Sequence, residues 1–116
     1  MDRKKELKEQ YKMMKPDMGI FMIKSKFKNK CYIESTKNLK GTINSTEFRL
    51  KFGSYPNSEL QKEWNEYGKD GFTIEILEKL EYDKDEAKTD YSEELEILEM
   101  EWKEKLLKQG MEFYSK

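Results

Sequence analysis

The period of apolar and polar positions changes repeatedly along this chain, and each change marks an element. Residues 2–14 place Leu7, Tyr11 and Met14 at helical spacing in an otherwise charged stretch, which Pro16 closes. The run 19–25 is apolar enough for a buried strand, and 30–35 reads as its antiparallel partner. Between them Lys28-Asn29 predicts a tight turn, with Asn29 in the left-handed backbone region. In the second strand Cys31 and Ile33 share one face, and Tyr32 and Glu34 the other. Asn38 is placed to cap a helix running to Phe52 with Leu39, Ile43 and Leu50 inward, and Gly53 stops it. Pro56-Asn57 opens a second helix carrying Leu60, Trp64 and Tyr67, and Gly68 ends that one. After Gly71, Phe72, Ile74 and Ile76 alternate with Thr73, Glu75 and Leu77, a strand pattern. Residues 81–90 form an acidic loop. A last helix starts at Asp90 or Ser92 and runs to near Gly110, with Leu95, Leu98, Trp102 and Leu106 as its inward stripe.

The order helix, strand, strand, helix, helix, strand, helix predicts an α+β domain on a small three-stranded, mostly antiparallel sheet flanked by helices. Residues 1–17 form an N-terminal helical extension, 18–109 the domain, and 110–116 a C-terminal tail. At 116 residues the chain is long enough for one hydrophobic core. Charged residues make up 41% of it, so that core must be small and the surface strongly ionic.

Charge is distributed unevenly. Residues 1–53 carry fourteen Lys and Arg against six Asp and Glu, a net of +8. Residues 54–116 carry nine against eighteen, a net of −9. Either the halves present separate faces, the basic one toward phosphates, or they pack together and neutralise each other. No apolar run reaches the roughly 18 residues of a membrane span, and one cysteine permits no intrachain disulfide, so a cytoplasmic protein with no membrane partner is expected.

The chain has no histidine. This excludes Ser-His-Asp and Cys-His catalysis and the usual zinc sites. A divalent ion would need carboxylates and carbonyls. Glu99 is the leading carboxylate. At ~100° per residue it lies about 50° from the centre of the last helix's apolar stripe, so it needs a partner: a lysine, a hydroxyl or a metal.

Gly19-Ile20-Phe21 and Tyr32-Ile33-Glu34, on the two strands of one hairpin, resemble the signature pair of the GIY-YIG endonuclease family. The segment 60–68, then Phe72 and Glu75-Ile76-Leu77, then Glu99-Met100-Glu101-Trp102, resembles the family's middle helix, third strand and last helix at matching spacing. The likeness runs from about Met18 to Leu106 and is greatest to short single-domain bacterial members, some of which carry transcription-regulator labels. It implies a phosphodiester-cleaving fold in which a first-motif tyrosine activates water, an arginine on the next helix holds the scissile phosphate, and a glutamate on the last helix binds Mg²⁺ or Mn²⁺.

Several positions depart from that pattern. Phe21 stands where the first tyrosine belongs and has no oxygen to move a proton. Tyr32 keeps the second-motif hydroxyl. Glu34 replaces a glycine and adds negative charge beside the expected phosphate, or a second metal ligand. Thr42 stands ten residues beyond Tyr32, where the arginine is expected. Glu99 matches the metal-binding glutamate. The expected catalytic set is therefore Tyr32, Glu99 and the degenerate Phe21 and Thr42. Lys37, Lys40, Arg49, Gln61 and Asn65 are the expected nucleic-acid contacts. Lys24, Lys26, Lys28 and Lys30, with Phe27, would add a basic hairpin face.

The reading that follows is a nuclease-like domain with an eroded site that binds nucleic acid, in the first instance DNA, and cleaves little. Two alternatives stand beside it. One is an active metal-dependent endonuclease. The other is a protein-interaction module using the acidic segment 81–101 or Met13, Met14 and Met18.

Overall fold

A computed structural model describes residues 15–114. The expected N-terminal helix over 2–14 lies outside them. Two long strands come first, β1 (Met18–Ser25) and β2 (Lys30–Thr36). Helices α1 (Leu39–Phe52) and α2 (Ser58–Tyr67) follow. A short 3₁₀ turn, Lys69–Gly71, leads into β3 (Phe72–Leu80). Helix α3 (Ser92–Lys108) precedes a two-residue strand β4 (Glu112–Phe113).

The sheet has the order β3-β1-β2-β4. β1 is antiparallel to both β2 and β3, and β4 runs parallel to β2 at Lys30 and Cys31. The sheet is therefore four-stranded and mixed, a three-stranded antiparallel core extended by one short strand. Residues 111–114, expected as a tail, close that edge. Met111 and Tyr114 are buried, and the Tyr114 and Glu112 amides donate to the carbonyls of Cys31 and Asn29.

β1 is central and covered on both faces, which is why its sequence is apolar throughout instead of alternating. Phe21 and Ile23 face one core with Leu39, Leu50, Leu60, Trp64 and Phe72, under α1 and α2. Ile20, Met22, Cys31 and Ile33 face another with Leu98 and Leu106, under α3. The predicted two-face division of β2 and the inward stripe of α3 both hold.

Local chemistry sets the ends of the elements. Asn38 Oδ1 accepts from the Gly41 amide at 3.0 Å, and Asn57 Oδ1 from the Leu60 amide at 3.1 Å, so α1 and α2 both open on an asparagine cap. Gly53 ends α1 at φ 77°, the left-handed position that glycine occupies without Cβ strain. The hairpin turn departs from expectation. Among the described residues no non-glycine has a positive φ, so Asn29 is not left-handed. Ser25 makes the turn instead, its Oγ accepting from the amides of Phe27 and Lys28 at 3.1 Å each.

Between β1 and β3 the register slips. Ile20 opposes Glu78 while Phe21 opposes Ile76, leaving Leu77 as the extra residue of a β-bulge. At this bulge the backbones close in. A Cβ on Gly19 would lie 2.0 Å from the Glu78 carbonyl oxygen. Among the described residues no helix is long and apolar enough to cross a membrane.

Candidate functional site

The end of β2, the first three turns of α1 and the loop before α2 enclose an open hollow of about 610 Å³. Tyr32 and Glu34 project into it because they lie on the α1-facing side of β2. Thr42, Ser45, Thr46 and Arg49 reach it from α1, where spacings of three and four residues put them on one face. Asn38, Tyr55 and Asn57 complete the lining.

Tyr32 is half-buried, and its hydroxyl donates to Glu34 Oε1 at 2.6 Å. Its ring meets Tyr55 edge-on at 5.8 Å. Burial first, and then the Glu34 carboxylate, push the Tyr32 hydroxyl well above the usual phenol range. The group is therefore held as a donor and is not available as a base near neutral pH. Thr42 is equally engaged, its Oγ1 lying 2.6 Å from the Thr36 hydroxyl. Among the described lining residues the one cation is Arg49, which is exposed.

Phe21 has no access to this hollow. It is fully buried in the α1–α2 core and pairs across the strands with Glu34. Gln61, expected to contact nucleic acid, is buried and occupied. Its Oε1 accepts from the Tyr55 amide at 3.0 Å, and its Nε2 donates to the Leu50 carbonyl and to Asn65 Oδ1, both at 2.9 Å. It positions the loop that carries Tyr55. Asn65 is exposed but lines a different groove, with Phe48, Lys51, Trp64 and Lys69. Lys40 lines a third recess with Asn44 and Ile76. Lys37 is exposed near Asp90, whose carboxyl is held low chiefly by Ser92, with Lys37 and Lys88 adding to it.

Glu99 does not join Tyr32. It belongs to α3, on the opposite side of the sheet, and meets β2 through the backbone. Glu99 Oε1 accepts from the Ser35 amide at 3.0 Å, and its Oε2 lies 3.6 Å from Lys103 Nζ. This is the partner its half-apolar setting required. For a divalent cation the fit is poor. A dication here would compete with an amide donor and stand beside an ammonium. Among the described residues no group of three or more His, Cys, Asp or Glu could hold one. Glu34, the other candidate ligand, accepts from the Tyr32 hydroxyl through Oε1.

Of the four lysines expected on a basic hairpin face, two are neutralised within the fold. Lys28 and Lys30 lie at and after the turn, bridged to Glu63 and Glu59 of α2. The Phe27 ring packs on Tyr67 at 5.1 Å between centroids. Met18, offered as an exposed contact, is 1% exposed in the core. Tyr55 and Asn57 are lining residues that the sequence did not point out. The Ser54-Tyr55-Pro56 turn between two capped helices was the available signal, an aromatic in a loop that should be polar.

A small mixed sheet between two helices and one helix, with a polar hollow at the end of its hairpin, defines an α+β domain. The fold is similar to the catalytic domain of the homing endonuclease I-TevI, with a TM-score of 0.65 and 24% identity, covering 85% of this chain and 99% of that one. A glutamate-to-alanine variant of the intron endonuclease I-TevI catalytic domain matches at 32% identity and a TM-score of 0.51, covering 60% of this chain and 70% of that one. The chain matches no family model and no curated protein. At that identity and coverage it belongs to the GIY-YIG family.

Proposed function

We propose that this domain binds nucleic acid along α1 and its adjoining hollow, and cleaves phosphodiesters little or not at all. The observation that carries the reading is the closed Tyr32–Glu34 pair. The hydroxyl that would handle a proton is bound to a carboxylate standing where close backbone approach to a ligand was expected. Phe21 supplies no second acceptor, and Thr42 supplies no guanidinium. A transition-state donor of that kind is worth ~10²–10³ in rate, and a positioned proton acceptor ~10²–10⁴, so losing both leaves little above background. Binding is retained in this reading because Arg49 still lines the hollow, with Lys40 and Lys51 on the same exposed helix. The family is one whose neighbours are endonuclease catalytic domains.

Two measurements test it together. Fluorescence anisotropy on duplex DNA should give a salt dependence of about two to three phosphate contacts, reduced by about one in Arg49→Gln. Plasmid nicking with Mg²⁺ or Mn²⁺ should stay at background. Nicking that vanishes in Glu99→Ala would establish an active metal-dependent endonuclease instead. Binding that is flat with salt, or absent, on duplex and single-stranded DNA alike would overturn the nucleic-acid reading in favour of a protein partner.

A further inference from the structure

On the outward side of α1, Phe48 and Phe52 lie in the open. They are 63% and 64% exposed, four residues apart, and packed ring to ring at 4.5 Å with a 44° tilt. Two bare phenyl rings on a charged helix contribute nothing to either core, and the stretch of chain that supplies them has no apolar period calling for them. Their flanks differ. On one side Ser45 and Arg49 turn toward the hollow. On the other, Asn44, Glu47 and Lys51 line a groove together with Trp64 and Lys69. Lys51 Nζ lies 6.0 Å from the centre of the Phe52 ring. The ridge is thus aromatic along its crest with a cation on each slope, Arg49 on one and Lys51 on the other; Glu47 shares the Lys51 groove, and α1 carries Lys40, Arg49 and Lys51 against that single acid.

We infer that the Phe48–Phe52 ridge is a stacking platform for unpaired bases, so that the strand this domain holds is single-stranded or locally opened. The chemistry follows from the pairing of features. A base has a π-face that stacks on a phenyl ring whatever its identity, and the phosphates on either side of it need cations at the foot of the ring. Arg49 and Lys51 stand there. In duplex nucleic acid the bases are stacked on each other and present only their edges, so the rings would meet sugar and phosphate and gain nothing. A protein partner would meet a ridge with few charges beside it; two cations flanking two rings favour a polyanion. This inference rests on the nucleic-acid reading above and narrows it to a form of the ligand.

The test compares a short fluorescein-labelled oligothymidine with a labelled duplex, by anisotropy, on the full chain and on Phe48→Ala/Phe52→Ala. The rings are exposed, so the double variant should fold, and circular dichroism and thermal melting confirm that independently. Removing them should weaken oligothymidine binding by about 10–100-fold and leave duplex binding within about threefold. Phe48→Ala/Phe52→Trp should recover single-strand affinity relative to the double-alanine variant, and the added indole's fluorescence should be quenched as the oligonucleotide binds. If the native chain binds duplex alone, or binds oligothymidine equally well without the rings, the platform is wrong while nucleic-acid binding stands. If it binds neither form, both readings fall. Sedimentation in which the native chain self-associates and the double variant does not, with nucleic-acid affinity unchanged, assigns the ridge to a second copy of the chain and also overturns the proposal.

Discussion

Phe21 and Gly19, two positions apart on β1, show how the packing of one strand limits what its motif residues can do. Phe21 is fully enclosed. A hydroxyl added there meets core carbon, so Phe21→Tyr should cost about 1–3 kcal/mol in denaturant unfolding and should not by itself restore nicking. An unchanged midpoint would mean that the ring edge reaches the hollow after all. Gly19 is the first letter of a nuclease signature, yet its constraint here is the Glu78 carbonyl. Gly19→Ala should therefore destabilise strongly in the absence of any ligand, with loss of the β1–β3 register seen by amide exchange. The titrating groups give a further test. Burial raises the Cys31 thiol from 9.0 to about 11, and burial also raises the hydroxyls of Tyr32 and Tyr114. In each case the folded state favours the neutral form. The stabilisation is complete below pH 9 and is lost as pH climbs through the folded values. Unfolding midpoints should thus decline from about pH 9 to 11, and Cys31→Val should flatten the early part of that decline. Residue identities at the motif positions were legible because each has a distinct chemistry. Their partners were not. Nothing in the string Tyr-Ile-Glu says that the side chains two apart will bond to each other across a strand face.

At the scale of elements, helix α3 carries the clearest case. Its apolar stripe predicted that Glu99 would lie near the core edge and need a partner, and it does. Which partner depended on the strand that faced it, and Ser35 is a backbone donor invisible to any pattern of side chains. Glu99→Ala should cost about 1–2 kcal/mol and Glu99→Gln clearly less, since an amide oxygen can still accept. Adding Mg²⁺ should not raise the melting temperature of the native chain. A Mg²⁺-dependent rise that Glu99→Gln abolishes would return the residue to metal binding. Both helix caps, the glycine stop of α1, the three long strands and the bounds of α3 were readable because they follow local rules. The turn, the bulge and β4 were not. Ser25 competes with Asn29 for the turn and wins by accepting two amides. A single extra residue in β3 leaves the alternation almost intact. Two residues of strand, Glu112 and Phe113, show no period at all, and only the edge of β2 defines them.

The charge asymmetry of the whole molecule reads differently in three dimensions. Acidic α2 folds against the basic hairpin, and Lys28–Glu63 at 3.1 Å joins the two halves of the chain. Glu63 is 5% exposed, so removing Lys28 leaves a buried carboxylate without its ion-pair partner. Lys28→Ala should lower the melting temperature, and combining it with Glu63→Gln should recover part of the loss. Layer arrangement was legible from the order of elements and the resemblance they carry. The destination of the charges was not, since sequence halves do not map onto separate surfaces. The strand order has a last consequence. β1 and β2 occupy the middle of the sheet, and both outer strands, β3 and β4, come from the later half of the chain. During synthesis the hairpin must therefore wait with two raw flanks of unpaired amides and carbonyls, and with the Ile20 and Met22 side of β1 uncovered until α3 arrives. Any fragment halted before Phe72 should stick to its own kind, so premature termination of this small domain yields an aggregation seed in place of a soluble remnant.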